Sequence, residues 1–115
     1  MAKILVVDDE ADTAEVLSWY LSDRGHEVRT ASDGEAALRL AETEPPEVLI
    51  ADYLLPCGPN GIELATRLRR SVPALKVVIV SGMAADNLLA LIAGIQGARV
   101  LTKPLDLKSL TTLLG

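Results

Sequence analysis

The sequence predicts an α/β fold, a doubly wound parallel sheet of five strands with helices on both faces. Three observations predict it. Short apolar runs rich in Val and Ile recur without alternating, as strands buried on both faces of a parallel sheet do. Helically spaced apolar residues stand between them. Four of the runs then end on a polar or charged residue: Ile4-Leu5-Val6-Val7 on Asp8 and Asp9, Val48-Leu49-Ile50-Ala51 on Asp52, Val77-Val78-Ile79-Val80 on Ser81, and Val100-Leu101-Thr102 on Lys103. In such a sheet the carboxyl ends of the strands emerge along one edge, where ligands bind. Three carboxylates, one hydroxyl and one ammonium are therefore expected to converge in a single crevice.

Each element has a local reason. After the first strand, Val16, Leu17, Tyr20 and Leu21 fall at helical spacing, and Gly25 is placed to end that helix. Glu27 to Ala31 reads as the second strand. Ser32 and Glu35 have capping-box spacing ahead of Ala36, Ala37, Leu40 and Ala41, and Pro45-Pro46 stops this second helix before the strand to Asp52. The loop Leu55-Pro56-Cys57-Gly58-Pro59-Asn60-Gly61 carries strong turn chemistry. Asn60 and Glu63 are spaced to cap a third helix bearing Ile62, Ala65 and Leu68, which ends near Val72-Pro73. A fourth strand starts at Lys76, a fourth helix runs from about Asp86 to Ile95, a fifth strand starts at Arg99, and a short helix spans about Asp106 to Leu114. Five βα units with right-handed crossovers place helices on both faces.

The totals narrow the function. At 115 residues the chain, 1–115, reads as one domain, either a compact stand-alone unit or a piece of a larger protein. A net charge of −5 argues against direct nucleic-acid binding, and Arg67, Arg69 and Arg70 read as a solvated helix face. The single Cys57 cannot form an internal disulfide, and the N-terminus carries neither a secretory signal nor a membrane span. A cytoplasmic protein is expected. His26 reads as a surface histidine in a turn, Cys57 as an ordinary free thiol, and Trp19 and Tyr20 as packed or at the margin of the core.

The acidic residues carry the chemistry. If Asp8, Asp9 and Asp52 lie ~5 Å apart, each like-charge pair costs roughly 3 kcal/mol at an effective dielectric of ~20. Folding alone does not reward three such penalties. Either one carboxyl pKa rises or a cation sits there, and an all-oxygen site with room for water suits Mg²⁺ or Mn²⁺. The helix dipole accounts for one or two acids among Asp8, Asp9 and Glu10, but not for Asp52 or Lys103 at the same edge. A carboxylate beside a divalent cation can attack a phosphoryl group, whose transition-state charge then needs positive charge and donors around it.

With these residues assembled, the chain resembles the receiver domain of two-component response regulators over essentially its whole length. The marks are Ile4-Leu5-Val6-Val7-Asp8-Asp9-Glu10, Asp52 with Pro56 and Gly61, Ser81-Gly82, and Lys103-Pro104. The resemblance implies the flavodoxin-like (βα)5 order 2-1-3-4-5. It implies that Asp52 is the phosphoacceptor, Asp9 a direct Mg²⁺ ligand and Asp8 a ligand mainly through water. The Leu54 backbone carbonyl completes the protein ligands, Ser81 is the switch hydroxyl and Lys103 its ion-pair partner, with Lys103-Pro104 cis. The partners implied are a histidine kinase or phosphotransfer protein upstream, and a homodimer or output domain reached through the helix around Leu88 to Ile95, which is apolar on nearly every side.

Three departures from the family pattern bear on the switch. Val100 stands where receivers commonly carry Tyr or Phe, and the chain has no Phe. The loop from Pro56 to Gly61 is one residue longer than in many receivers and is similar to that of some hybrid-kinase receivers. Leu54 and Met83 hold positions that in the family tune phosphoryl loss to water, and two apolar groups there imply slow hydrolysis. The expected function is thus a phospho-accepting signalling domain, not an enzyme in its own right. A degenerate receiver used as a binding scaffold is the alternative. A small Mg²⁺-dependent phosphatase is disfavoured, because Asp8-Asp9-Glu10 lacks the Asp-x-Asp spacing and no insertion is long enough for a substrate cap.

Overall fold

Strand and helix alternate along the chain in the computed structural model, which describes residues 2–82 and 85–114, the side chains of 85–87 excepted. The strands are β1 (Lys3–Val7), β2 (Glu27–Ala31), β3 (Val48–Asp52), β4 (Lys76–Ser81) and β5 (Arg99–Thr102). The helices are α1 (Ala11–Asp23), α2 (Gly34–Thr43), α3 (Gly61–Ser71), α4 (Ala85–Ile92) and α5 (Leu107–Leu114). All strand pairs are parallel, and the sheet order is β2-β1-β3-β4-β5, as the resemblance implied.

Successive side chains of a strand point to opposite faces, so each central strand supplies two cores. Leu5, Val7, Leu49, Ala51, Val77 and Ile79 face α2, α3 and α4, meeting Ala37, Leu64, Leu68, Leu88 and Ile92. Ile4, Val6, Val48, Ile50, Val78 and Val80 face α1 and α5, meeting Ala14, Leu17, Leu21 and Leu110. This double burial is why the strands read as unbroken apolar runs. Each fully buried Leu or Ile contributes roughly 1.5–3 kcal/mol of gross stabilisation.

Asn60 and Glu63 form the reciprocal box expected of them: the Asn60 side chain accepts from the Glu63 N–H at 2.8 Å, and Glu63 Oε1 accepts from the Asn60 N–H at 3.0 Å. At α2 the capping residue is Asp33 rather than Ser32. Asp33 Oδ1 accepts from the Ala36 N–H at 2.8 Å, so the cap sits one residue later than the Ser32–Glu35 spacing suggested. Helix α4 starts at Ala85 and stops at Ile92, leaving Ile95 buried beyond its end.

Other expectations need correction. Trp19 is 66% exposed and Val16 50%, because the buried stripe of α1 runs through Ala14, Leu17 and Leu21. Tyr20 is half-buried and its hydroxyl lies 2.8 Å from Thr111 Oγ1, tying α1 to α5. Arg69 is not simply solvated, since its guanidinium donates to the Leu75 carbonyl at 2.7 Å. His26 is structural: its Nδ1 accepts from the Ala2 N–H at 3.1 Å. On α4, Leu88 and Ile92 are buried while Leu89 and Leu91 are over half exposed, so the apolar surplus faces outward.

Candidate functional site

The last rungs of the ladder deliver the polar residues to one edge. Val7 pairs with Ala31 and Ala51, so Asp8 leaves β1 beside the end of β3, where Asp52 sits opposite Val80. Ser81 pairs with Thr102, which places Lys103 immediately past the sheet. Backbone hydrogen bonds lock these exits: Asp8 N–H to the Ala31 carbonyl at 3.0 Å, Tyr53 N–H to Val80 at 2.9 Å, and Lys103 N–H to Ser81 at 2.8 Å. The Lys103-Pro104 bond is cis.

At that edge Asp8, Asp9 and Asp52 each offer a carboxylate oxygen within 4.8 Å of the others. Asp8 and Asp52 are buried and Asp9 is exposed. Lys103 Nζ donates to Asp52 Oδ2 at 3.0 Å and to Glu10 Oε1 at 3.3 Å. Ser81 is buried at the end of β4. The crevice continues as an apolar groove of about 470 Å³ between α1 and the start of α5, lined by Val16, Leu105 and Leu107 beside Asp8, Asp52 and Lys103.

The electrostatics follow from burial first and neighbouring charges second. Burial pushes the Asp8 carboxyl above its ordinary value of 3.8. The Glu10 N–H, donating to Asp8 Oδ1 at 2.9 Å, opposes this; Asp52 repulsion adds to it, Lys103 offsets, and the Glu10 carboxylate adds again. For Lys103, burial works against the ammonium, yet the hydrogen bond and charge of Asp52, then Asp8 and Glu10, outweigh it and hold the pKa above 10.5. A raised carboxyl pKa in a cluster of hard oxygen donors marks a place where a divalent cation relieves repulsion. The donor set fits Mg²⁺.

Gly61 shows how closely the backbone packs here. A Cβ at Gly61 would stand 2.4 Å from the Asp52 carbonyl oxygen and 3.2 Å from Tyr53 Cα, while the Gly61 N–H donates to the Tyr53 carbonyl at 2.9 Å. Only a hydrogen fits between α3 and the strand end that carries Asp52.

The structure brings together Asp8, Asp9, Asp52 and Lys103, with Ser81 at the same edge. Leu54, expected from the resemblance to slow phosphoryl loss, is 67% exposed. Met83, the other residue given that role, lies outside the described residues. Reading the sequence missed the second carboxylate on Lys103. Glu10 reads in the sequence as a charge favoured by the α1 dipole and as one of the marks of the resemblance, with no role at Lys103, although the run of three acids at a strand end was the available signal.

Comparison with known proteins places this geometry. The response regulator receiver domain family matches residues 4–115. The alkaline phosphatase synthesis transcriptional regulatory protein PhoP of Bacillus subtilis is 48% identical over 68 residues, 59% of this chain and 28% of that protein. The chain spans from about a quarter to about half of the length of the first curated relatives it matches. Among solved structures, the chemotaxis protein CheY4 of Vibrio cholerae superposes with a TM-score of 0.89 at 28% identity, covering 99% of this chain and 96% of that one. The response regulator TrrA of Thermotoga maritima, solved with Mg²⁺ and BeF, gives 0.85 at 26% identity, covering 99% and 96%. Among the described residues no helix is long and apolar enough to cross a membrane.

Proposed function

This chain belongs to the response regulator receiver domain family, and from that premise we propose that Asp52 accepts a phosphoryl group from a phosphohistidine donor in a Mg²⁺-dependent reaction. The observation that carries the reading is the Lys103 ammonium 3.0 Å from Asp52 Oδ2, within a cluster of three carboxylates whose oxygens lie within 4.8 Å of one another. Asp8, Asp9 and Asp52, with the Leu54 carbonyl, are the residues to hold the cation, which supplies positive charge that offsets the carboxylates and the phosphoryl oxygens. The Mg²⁺–BeF complex of TrrA supports that assignment by likeness.

The chain's own groups do the rest. A carboxylate oxygen of Asp52 attacks phosphorus in line with the leaving group. The P–N bond breaks, and its electron pair stays on an imidazole whose other nitrogen already carries a proton. Lys103 transfers its hydrogen bond from Asp52 to a phosphoryl oxygen, and the Ser81 hydroxyl turns to donate to another. Those two movements bias the β4 and β5 ends, and through them the neighbouring α4, between two arrangements. The exposed Leu89 and Leu91 make α4 the surface for a second copy or an output domain. The domain signals; it is not a catalyst with turnover on a free substrate. A histidine kinase or phosphotransfer protein upstream implies a cytoplasmic setting.

Incubation with Mg²⁺ and acetyl phosphate tests this. One phosphoryl adduct per chain, absent in Asp52→Asn, supports the reading. No adduct in the wild type favours a binding scaffold, and steady turnover of phosphate esters favours a phosphatase.

A further inference from the structure

Glu10 has no task in the reading above, yet its placement is well defined. It is the cap residue of α1, with extended backbone (φ −86°, ψ 105°). Its N–H donates to Asp8 Oδ1 at 2.9 Å and its carbonyl accepts from the Ala14 N–H at 3.1 Å, so both sides of its Cα are anchored. Its carboxylate makes no capping hydrogen bond to its own helix. Instead it reaches Lys103 Nζ at 3.3 Å, across 93 residues of sequence. The side chain is 63% exposed and lines the groove that opens onto Asp52. A full negative charge therefore stands at the entrance of the crevice, held by the same ammonium that faces Asp52.

We propose that Glu10 is a donor-selecting residue: its carboxylate, moored on Lys103, repels highly charged small phosphodonors approaching Asp52. The inference rests on Asp52 being the phosphoacceptor. A small donor has no docking surface and reacts far below saturation, so its rate carries the whole repulsion. A protein donor that docks elsewhere on the domain and saturates the site carries it only in affinity, because a penalty equal in ground and transition states leaves the bound reaction unchanged. Repulsion between one carboxylate and a phosphate dianion ~7 Å away, partly screened by water and salt, amounts to roughly a threefold to tenfold effect on rate. Transfer from acetyl phosphate forms the Asp52 O–P bond as the acyl O–P bond breaks, its electron pair leaving on acetate.

The test compares wild type, Glu10→Gln and Glu10→Asp under saturating Mg²⁺. Second-order rate constants for adduct formation are measured with acetyl phosphate, fully ionised at neutral pH, and with phosphoramidate, whose ammonium offsets part of its charge. Glutamine keeps an oxygen for Lys103 and removes only the charge. The expected result is a roughly threefold to tenfold gain for Glu10→Gln with acetyl phosphate and a smaller gain with phosphoramidate, both shrinking toward wild type in ~0.5 M salt. Glu10→Asp, still charged, stays near wild type. The lost charge acts on the cation with the opposite sign, so Mg²⁺ affinity, followed by the fluorescence of Trp19 lining the neighbouring cleft with Asp8 and Asp9, falls by no more than about tenfold, and saturating Mg²⁺ keeps that loss out of the rates. Equal gains with both donors, or no gain with intact Mg²⁺ affinity, overturn the proposal. So does a Mg²⁺ affinity weaker by far more than about tenfold, beyond the reach of one charge at that distance, which makes Glu10 a metal-holding residue. A wild type that takes no phosphoryl group from either donor overturns the phosphoacceptor reading itself, a distinct failure.

Discussion

Lys103 Nζ lies 3.0 Å from Asp52 Oδ2, although 51 residues separate the two in sequence. The contact joins a carboxylate 8% exposed to an ammonium 30% exposed. Lys103→Met leaves the buried carboxylates without their cation, and with the partial solvent access of Lys103 the cost is about 1–2 kcal/mol. Urea denaturation of the metal-free protein checks it, and added Mg²⁺ should recover part of the loss.

Asp8 gives a pH signature. Its folded pKa lies above the 3.8 of the unfolded chain, so the folded state binds this proton more tightly. The stability it contributes is fully present below 3.8 and is lost as pH rises through the folded value. Relative to wild type, Asp8→Asn should therefore gain stability as pH climbs from 3.8 through the folded value and keep that gain above it, read as the difference in urea midpoints. Mg²⁺ should narrow the difference, since a ligand at 100 times its Kd adds about 2.7 kcal/mol to the protein that binds it. A difference independent of pH would remove the argument from burial of the Asp8 carboxyl.

Gly61→Ala should be disruptive out of proportion to its size. The new methyl would meet backbone, the Asp52 carbonyl at 2.4 Å, rather than a side chain that can swing away. We expect a loss of about 1–3 kcal/mol and slower adduct formation at Asp52, because relief requires α3 or the β3 end to shift. Asn60→Ala, which removes a cap next door, should cost about 1 kcal/mol and leave the adduct rate unchanged.

The outer face of α4 separates association from stability. Leu88 and Ile92 anchor the helix from within, so Leu89→Glu with Leu91→Glu should alter stability by no more than about 0.5 kcal/mol. Association promoted by a beryllofluoride mimic should disappear in this double variant when followed by sedimentation velocity. A wild-type chain that is monomeric with and without the mimic removes the dimer reading and leaves the output domain.

Much of this was legible in the sequence because two-sided burial writes itself as unbroken apolar runs. Val48 to Asp52 and Lys76 to Ser81 hold such runs, and the residues closing them stand at one edge of the sheet. Asn60 and Glu63 were equally legible, since a capping box is a local contact at fixed spacing. Where two acceptors stand side by side, spacing loses its power: Ser32 and Asp33 both suit a cap, and only the backbone at Asp33 (φ −154°, ψ 173°) turns an oxygen onto the Ala36 N–H. The rotation of α1 was misread because small Ala14, not Val16, continues the buried stripe. The Glu10–Lys103 pair has no periodicity at all. It exists only once β1 and β5, with β3 and β4 between them, end at the same edge of the sheet, and nothing local announces it.

The Lys103 N–H bond to the Ser81 carbonyl, one step past the final β4–β5 pairing, has a consequence for how such a chain can change. Deleting a single residue inside β5 would draw Lys103 back by one strand rise, about 3.3 Å, and turn its side chain toward the other side of the sheet. The exposed tip at Pro56 and Cys57, by contrast, belongs to no strand register, so an added residue there leaves the sheet edge in place. A one-residue deletion within β5 should therefore break the Lys103–Asp52 contact, however conservative the residues involved.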